Sequence, residues 1–218
     1  GQTYILTGIS ASQDLKIAGK VRFTSYDKLN DQSWWTVFGA YVSGNDGCCL
    51  FSYNGGGYNH LVFNNPTQTY DANDGFATDG CYEFEGWSSG SAAYLKVGNR
   101  EVSKSCAYCC STGGNLPLFA MYYNGVNRTC NSQVPLYYFK MWKGGSLKRD
   151  FIPVKKDGEG MLYDRVSGEF FRNASGAGSF VCGATTKTTT IVTASASAPL
   201  YFAPPMKNRM NGIILYLR

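Results

Sequence analysis

Histidine is nearly absent from this chain of 218 residues: His60 is the only one. A Ser-His-Asp or Cys-His catalytic site would have to use it. It lies in Tyr58-Asn59-His60, beside a run of glycines, and no G-x-S-x-G nucleophile motif accompanies it. A partly exposed strand-end histidine is the expectation. Charge is also scarce. Charged residues make up 16% of the chain, against the usual ~25%, so the polar surface must come from Ser, Thr, Asn, Gly and Tyr. The 20 basic and 15 acidic residues leave a net charge of +5 with no clustered basic stripe, and no nucleic-acid partner is expected. No apolar run reaches the ~18 residues of a membrane-spanning helix, and membrane insertion is not expected. No basic-then-apolar leader opens the chain. The first strand is expected to begin at Gln2 without a lead-in, as in a fragment of a longer protein. No stretch carries the period of a long amphipathic helix.

What is abundant points to sheets. There are 16 Tyr, 13 Phe and 4 Trp, residues that suit a pleated, half-buried surface, and 26 Gly to make tight turns. Short alternating segments recur: Thr3 to Ile9, Leu15 to Tyr26 with a break near Gly19, Trp34 to Val42, Cys49 to Tyr53, Tyr58 to Phe63, Cys81 to Trp87 and Ala93 to Val97. Gly98-Asn99 then marks a hairpin turn into Glu101-Val102. Leu118 to Tyr123, Leu136 to Trp142, Phe151 to Val154, Glu169 to Arg172 and Ser179 to Cys182 complete the set. Many short strands separated by Gly-rich turns predict an all-β fold, a two-sheet antiparallel jelly-roll sandwich. Residues 64–80 are expected to form a long loop. After Gly183 the composition shifts to Thr, Ala and Ser, and the chain closes on Ile213-Ile214-Leu215-Tyr216-Leu217. The expected organisation is therefore a sandwich over 1–183 and a β-prone extension over 184–218 that pairs within or between subunits.

Eight cysteines are present, including the adjacent pairs Cys48-Cys49 and Cys109-Cys110. Neighbouring strand positions point to opposite faces, so adjacent cysteines need different partners and argue against a simple disulfide framework. The C-x2-C spacing of Cys106 and Cys109 would supply half a zinc site, with Cys48 or Cys49 the only source of the other half. Free or partly paired small hydrophobes are the better reading.

One ordered run carries a resemblance. Leu136-Tyr137-Tyr138-Phe139-Lys140-Met141-Trp142 leads to Leu147-Lys148-Arg149-Asp150-Phe151-Ile152-Pro153-Val154. Then come Gly160-Met161-Leu162-Tyr163-Asp164, Ser167-Gly168-Glu169-Phe170-Phe171, Asn173, Gly176 and Phe180. This order resembles the C-terminal part of laminin-G-like (concanavalin A-like) jelly-roll domains found in phage structural proteins and gut-bacterial surface proteins. Gln2 to Ile9, Val37-Phe38-Gly39-Ala40, Tyr94 to Arg100 and Pro117 to Ala120 are similar more loosely. On this reading Pro153 caps an edge strand, Asp164 and Gly168 form a tight turn, and Phe170 and Phe180 plug the core. The resemblance implies a non-catalytic module of a virion protein (fibre, tail or capsid decoration). Its implied partners are host glycan and neighbouring subunits, homo-oligomeric ones included, and its implied location is the virion. A secreted bacterial carbohydrate-binding or adhesion module is the alternative. The shared residues are structural, so no site residue carries over.

Site candidates come from the residues themselves. Sugars stack on flat exposed rings, which singles out Trp34, Trp35, Tyr53, Tyr58 and Trp87, with Asn59 and His60 as polar neighbours. Glu83 and Glu85 share one strand face and would serve a glycoside hydrolase, although Trp87 stands where a third carboxylate of the glucanase pattern is required. Solvated strand glutamates are the simpler reading. No cofactor is expected. Calcium would need Asp71, Asp74 and Asp79 with Asp46, and their spacing is not that of an EF-hand loop.

Overall fold

The computed structural model describes residues 3–12, 14–22, 35–43, 46–55, 58–63, 81–88, 92–105, 115–123, 125–128 and 135–183. Among them the chain forms strands and no helix. In order these are β1 (Ile5–Ser10), β2 (Lys16–Arg22), β3 (Trp35–Ser43), β4 (Asp46–Gly55), β5 (Tyr58–Phe63), β6 (Cys81–Ser88), β7 (Ala92–Val97), β8 (Arg100–Ser105), β9 (Asn115–Leu118), β10 (Met121–Tyr123), β11 (Val126–Arg128), β12 (Leu136–Lys143), β13 (Ser146–Lys156), β14 (Glu159–Asp164) and β15 (Phe170–Phe171). They make two sheets. One runs β1-β9-β3-β10-β11, with β4 on β3 and β5 on β4; the other runs β15-β14-β13-β12-β2-β6-β7-β8. The fold is an all-β sandwich, as expected. The extension 184–218 and the loop 64–80 lie outside the described residues, as do Trp34, Asp71, Asp74, Asp79, Cys106, Cys109 and Cys110.

Period-two alternation explains which side β2, β6, β7 and β12 bury, whereas β3 is buried continuously from Thr36 to Ala40 across a register shift. Ile17 and Val21 of β2, Phe84 of β6, Leu95 of β7, Phe139 and Met141 of β12 and Phe151 of β13 point inward from the eight-stranded sheet. Ile5, Val37, Phe38, Leu116 and Leu118 meet them from the other sheet. Phe38 and Phe139 join the two layers, their ring centroids 5.3 Å apart. Each such side chain removed from water contributes about 1.5–3 kcal/mol.

Gly19 does not break β2. It continues the inward parity of Leu15, Ile17 and Val21, and the strand runs unbroken through it. The ring of Phe84 fills the space a side chain would need: a Cβ on Gly19 would lie 2.7 Å from Phe84 Cζ. Glycine serves here as a socket.

Four further details depart from the sequence reading. First, the eight-stranded sheet is antiparallel throughout, whereas the other is mixed: β10 runs parallel to β3, Tyr122 opposite Ala40. The cause is a reversal at Phe119, which separates β9 from β10 in what reads as one strand. Phe119 takes a left-handed φ of 64° and donates its N–H to the Val37 carbonyl (2.9 Å). Such a backbone is strained for a bulky residue, and the half-buried ring is held by packing on Phe180. Second, Pro153 lies inside β13, opposite Leu162 of β14. β13 is an interior strand, but its pairing with β12 ends at Phe151, so the missing N–H falls where the strand has one neighbour. Third, Phe171, not Phe170, reaches the core and meets Phe151 edge-on. Phe170 lies on the other face, against Tyr163 and under the Lys156 ammonium. Two adjacent phenylalanines on a strand must face opposite ways, and composition cannot say which faces in. Fourth, Phe180 does pack against the core, but it is held by a single bridge to Gly160 and not by a strand over Ser179 to Cys182.

Asp164 and Gly168 do form the expected turn, with Gly168 N–H donating to the Asp164 carbonyl (2.8 Å). The Asp164 carboxylate does more. It is fully buried and accepts from the N–H groups of Asp150 (2.8 Å), Val166 (3.1 Å) and Ser167 (3.3 Å) and from the Ser167 hydroxyl (2.9 Å). Arg149 pairs with it at 3.3 Å and donates through Nε to the Thr7 carbonyl of β1 (2.7 Å). Arg149 thus ties the two sheets together. Gly8 on β1 is suited to its approach: it has φ 73°, and a Cβ there would lie 2.9 Å from Arg149 Nη2.

Candidate functional site

The sheets separate the residues proposed to bind sugar. Trp35 opens β3 opposite Ser52. Tyr53, Tyr58, Asn59 and His60 lie on the β4–β5 hairpin of the same sheet, with Tyr53 opposite His60, Asn54 opposite Asn59 and Gly55 opposite Tyr58. Trp87 belongs to β6 of the eight-stranded sheet. The set is therefore not one constellation but a hairpin group and a lone tryptophan.

Trp87 has other company. On the outward face of the eight-stranded sheet, register alone places Trp142 of β12 opposite Lys16 of β2, Lys16 opposite Trp87 of β6, and Trp87 opposite Tyr94 of β7. The inward residues of these strands form the core, so this row faces away from it. The Trp87 and Tyr94 rings lie parallel within 2°, centroids 5.0 Å apart, a stacking worth about 0.5–1.5 kcal/mol beyond the area it buries. The Lys16 ammonium sits between both tryptophans, 5.8 Å from the Trp87 centroid and 5.5 Å from that of Trp142. All three rings are half-buried, leaving part of each open to a ligand. Sequence reasoning missed Lys16, Tyr94 and Trp142. The alternation within β2 and β12 marks them as outward, but nothing local says that β2 lies between β12 and β6.

The carboxylates of the same face are engaged. Glu85 pairs with Lys16 at 2.8 Å and Glu83 with Lys20 at 3.3 Å. Both are open to water, with 46% and 61% of their side chains exposed, and such exposed pairs stabilise little. Burial, followed by the nearby charges of Glu83 and Glu85, pushes the Tyr138 phenol above its ordinary value. Its hydroxyl therefore remains a donor into strongly alkaline solution. Among the described residues no three His, Cys, Asp or Glu side chains converge to hold a metal ion.

No known family model matches the chain. No curated protein matches it in sequence. The likeness to laminin-G-like jelly rolls therefore rests on the ordered residues quoted above.

Proposed function

We propose that this domain is a non-catalytic binding module of a virion protein, contacting glycan on the host surface or neighbouring subunits. The ordered run from Leu136 to Gly183 supports the virion setting through its resemblance to phage jelly-roll domains. The state of Glu83 and Glu85 carries the choice of binding over hydrolysis. A glycosidase sets its two carboxylates in unlike environments, one of them in an apolar pocket that keeps it protonated to act as the acid. Here both stand in open solvent, each against a lysine. They are alike in environment.

Reducing-end release from soluble and insoluble polysaccharides tests this reading. The chain is expected to release nothing above a protein-free blank, with Glu85→Gln indistinguishable from the parent. Release that depends on Glu85 would replace the binding module with a glycoside hydrolase.

A further inference from the structure

We propose that the outward row Trp142–Lys16–Trp87–Tyr94 is a binding site for a neutral saccharide chain lying across the strands. The inference rests on the binding-module reading and names its site and ligand class.

Three features of the row select the ligand. The first is shape. Flat rings on β12, β6 and β7 stand in one line perpendicular to the strands, Trp87 stacked against Tyr94 and each ring partly exposed. With neighbouring strands ~4.8 Å apart, the row from Trp142 to Tyr94 spans about 14 Å, room for roughly three pyranose rings. The C–H face of a pyranose stacks on the part of such a ring that stays open. The second is charge. The ladder sets Lys96 between Glu85 and Glu101, and Lys140 beside Asp150, while Lys16 and Lys20 hold Glu85 and Glu83 directly. Lys16, Lys20 and Lys96 each have a carboxylate on an adjoining strand. An anionic sugar would have to displace a glutamate, and a cationic one a lysine. A neutral sugar displaces neither. The third is spare hydrogen-bonding capacity. Lys16 has three donor hydrogens and Glu85 about four lone-pair sites, more than their mutual contact uses. Beside the rings they offer both a donor and an acceptor to ring hydroxyls. A protein partner fits less well, because interface cores are depleted of charge and here a lysine stands at the centre between the tryptophans.

The test uses the 218-residue chain on an array of neutral tetrasaccharides (gluco-, xylo-, manno- and galacto-configured) and acidic ones (oligogalacturonate, oligoalginate), followed by calorimetry on the best binder. A neutral binder is expected, with Trp87→Ala and Trp142→Ala each weakening it about tenfold and Trp87→Phe restoring most of the loss. Raising the salt from about 0.05 to 0.5 M should change its affinity less than twofold, since no net charge is neutralised. Each variant's far-ultraviolet circular dichroism should match the parent, and its melting temperature should fall by no more than the loss of one ring stack, because the rings stand outside the core. Binding that ignores both tryptophan variants would move the site elsewhere and leave the glycan-binding reading intact. Binding confined to acidic probes and weakened by salt would overturn the neutral class. Binding to no probe would overturn this site and remove the glycan arm of the proposed function.

Discussion

Replacing Asp164 by alanine is expected to destabilise the domain by about 3–5 kcal/mol, the range for removing one partner of a buried ion pair. The carboxylate is fully buried and stands at the junction of β13, β14 and the turn that follows. Without it, the N–H groups of Asp150, Val166 and Ser167 and the Ser167 hydroxyl lose their acceptor at one stroke. Arg149, only 19% exposed, keeps its charge and loses its counter-ion. Orphaned buried donors cost about 1–3 kcal/mol each, but part of that is recovered as the turn opens to water. For a domain of this size the melting temperature should fall by about 6–20 °C. Asp164→Asn tests the cause. The amide keeps the shape and one acceptor but turns a donor toward donors, so it is expected to fall between parent and alanine. If both variants melt within about 2 °C of the parent, the carboxylate is not what holds the turn.

The neighbouring Asp150–Arg165 pair is a useful contrast. Its distance is shorter, 2.8 Å, but Arg165 is 47% exposed. Solvent screens that pair, and its loss should cost well under the Asp164 figure. Burial and the number of dependent donors rank the two sites, not the ion-pair distance.

These residues also show how far the sequence could be read. β12 and the Phe151–Val154 part of β13 were legible because their residues are β-prone and apolar, whereas β14 (Glu159–Asp164) was not among the strands the sequence marked. The Asp164–Gly168 turn was legible because Asx and Gly chemistry is local. The role of Arg149 was not: its partner Thr7 is 142 positions away, and no periodicity carries that information. The same limit hid the aromatic row. Trp87 could be singled out as a flat ring, but its neighbours Lys16 and Trp142 arrive through the pairing of β2 with both β6 and β12, a register that only the closed sandwich decides. Phe119 failed for another reason. Its left-handed backbone is unfavourable for its residue type, so local propensity argues against the reversal that tertiary packing imposes.

Gly19 extends that lesson to a position where an absent side chain is the structural feature, and Gly19→Ala is the second change expected to have a large effect. A strand glycine is ordinarily a weak point whose replacement by alanine helps. Here the added methyl would meet Phe84 Cζ at 2.7 Å, Phe84 Cε1 at 3.1 Å and the Tyr138 carbonyl oxygen at 2.9 Å. The carbonyl belongs to the β12 backbone beside β2 and cannot retreat without disturbing that pairing. The ring is 2% exposed and packs on Phe139, so it cannot swing away without opening a void. Overpacking of this kind costs about 1–3 kcal/mol, and Gly19→Val should exceed that range. A double-mutant cycle separates the two contacts. Phe84→Leu shortens the side chain and costs stability alone, but it should cut the penalty of Gly19→Ala by about 1 kcal/mol, leaving the share due to the carbonyl. Additive penalties in urea unfolding would show that the ring is not what fills the socket. A stabilising Gly19→Ala would show that β2 and β12 can part by a few tenths of an ångström at no cost, and that the glycine is dispensable.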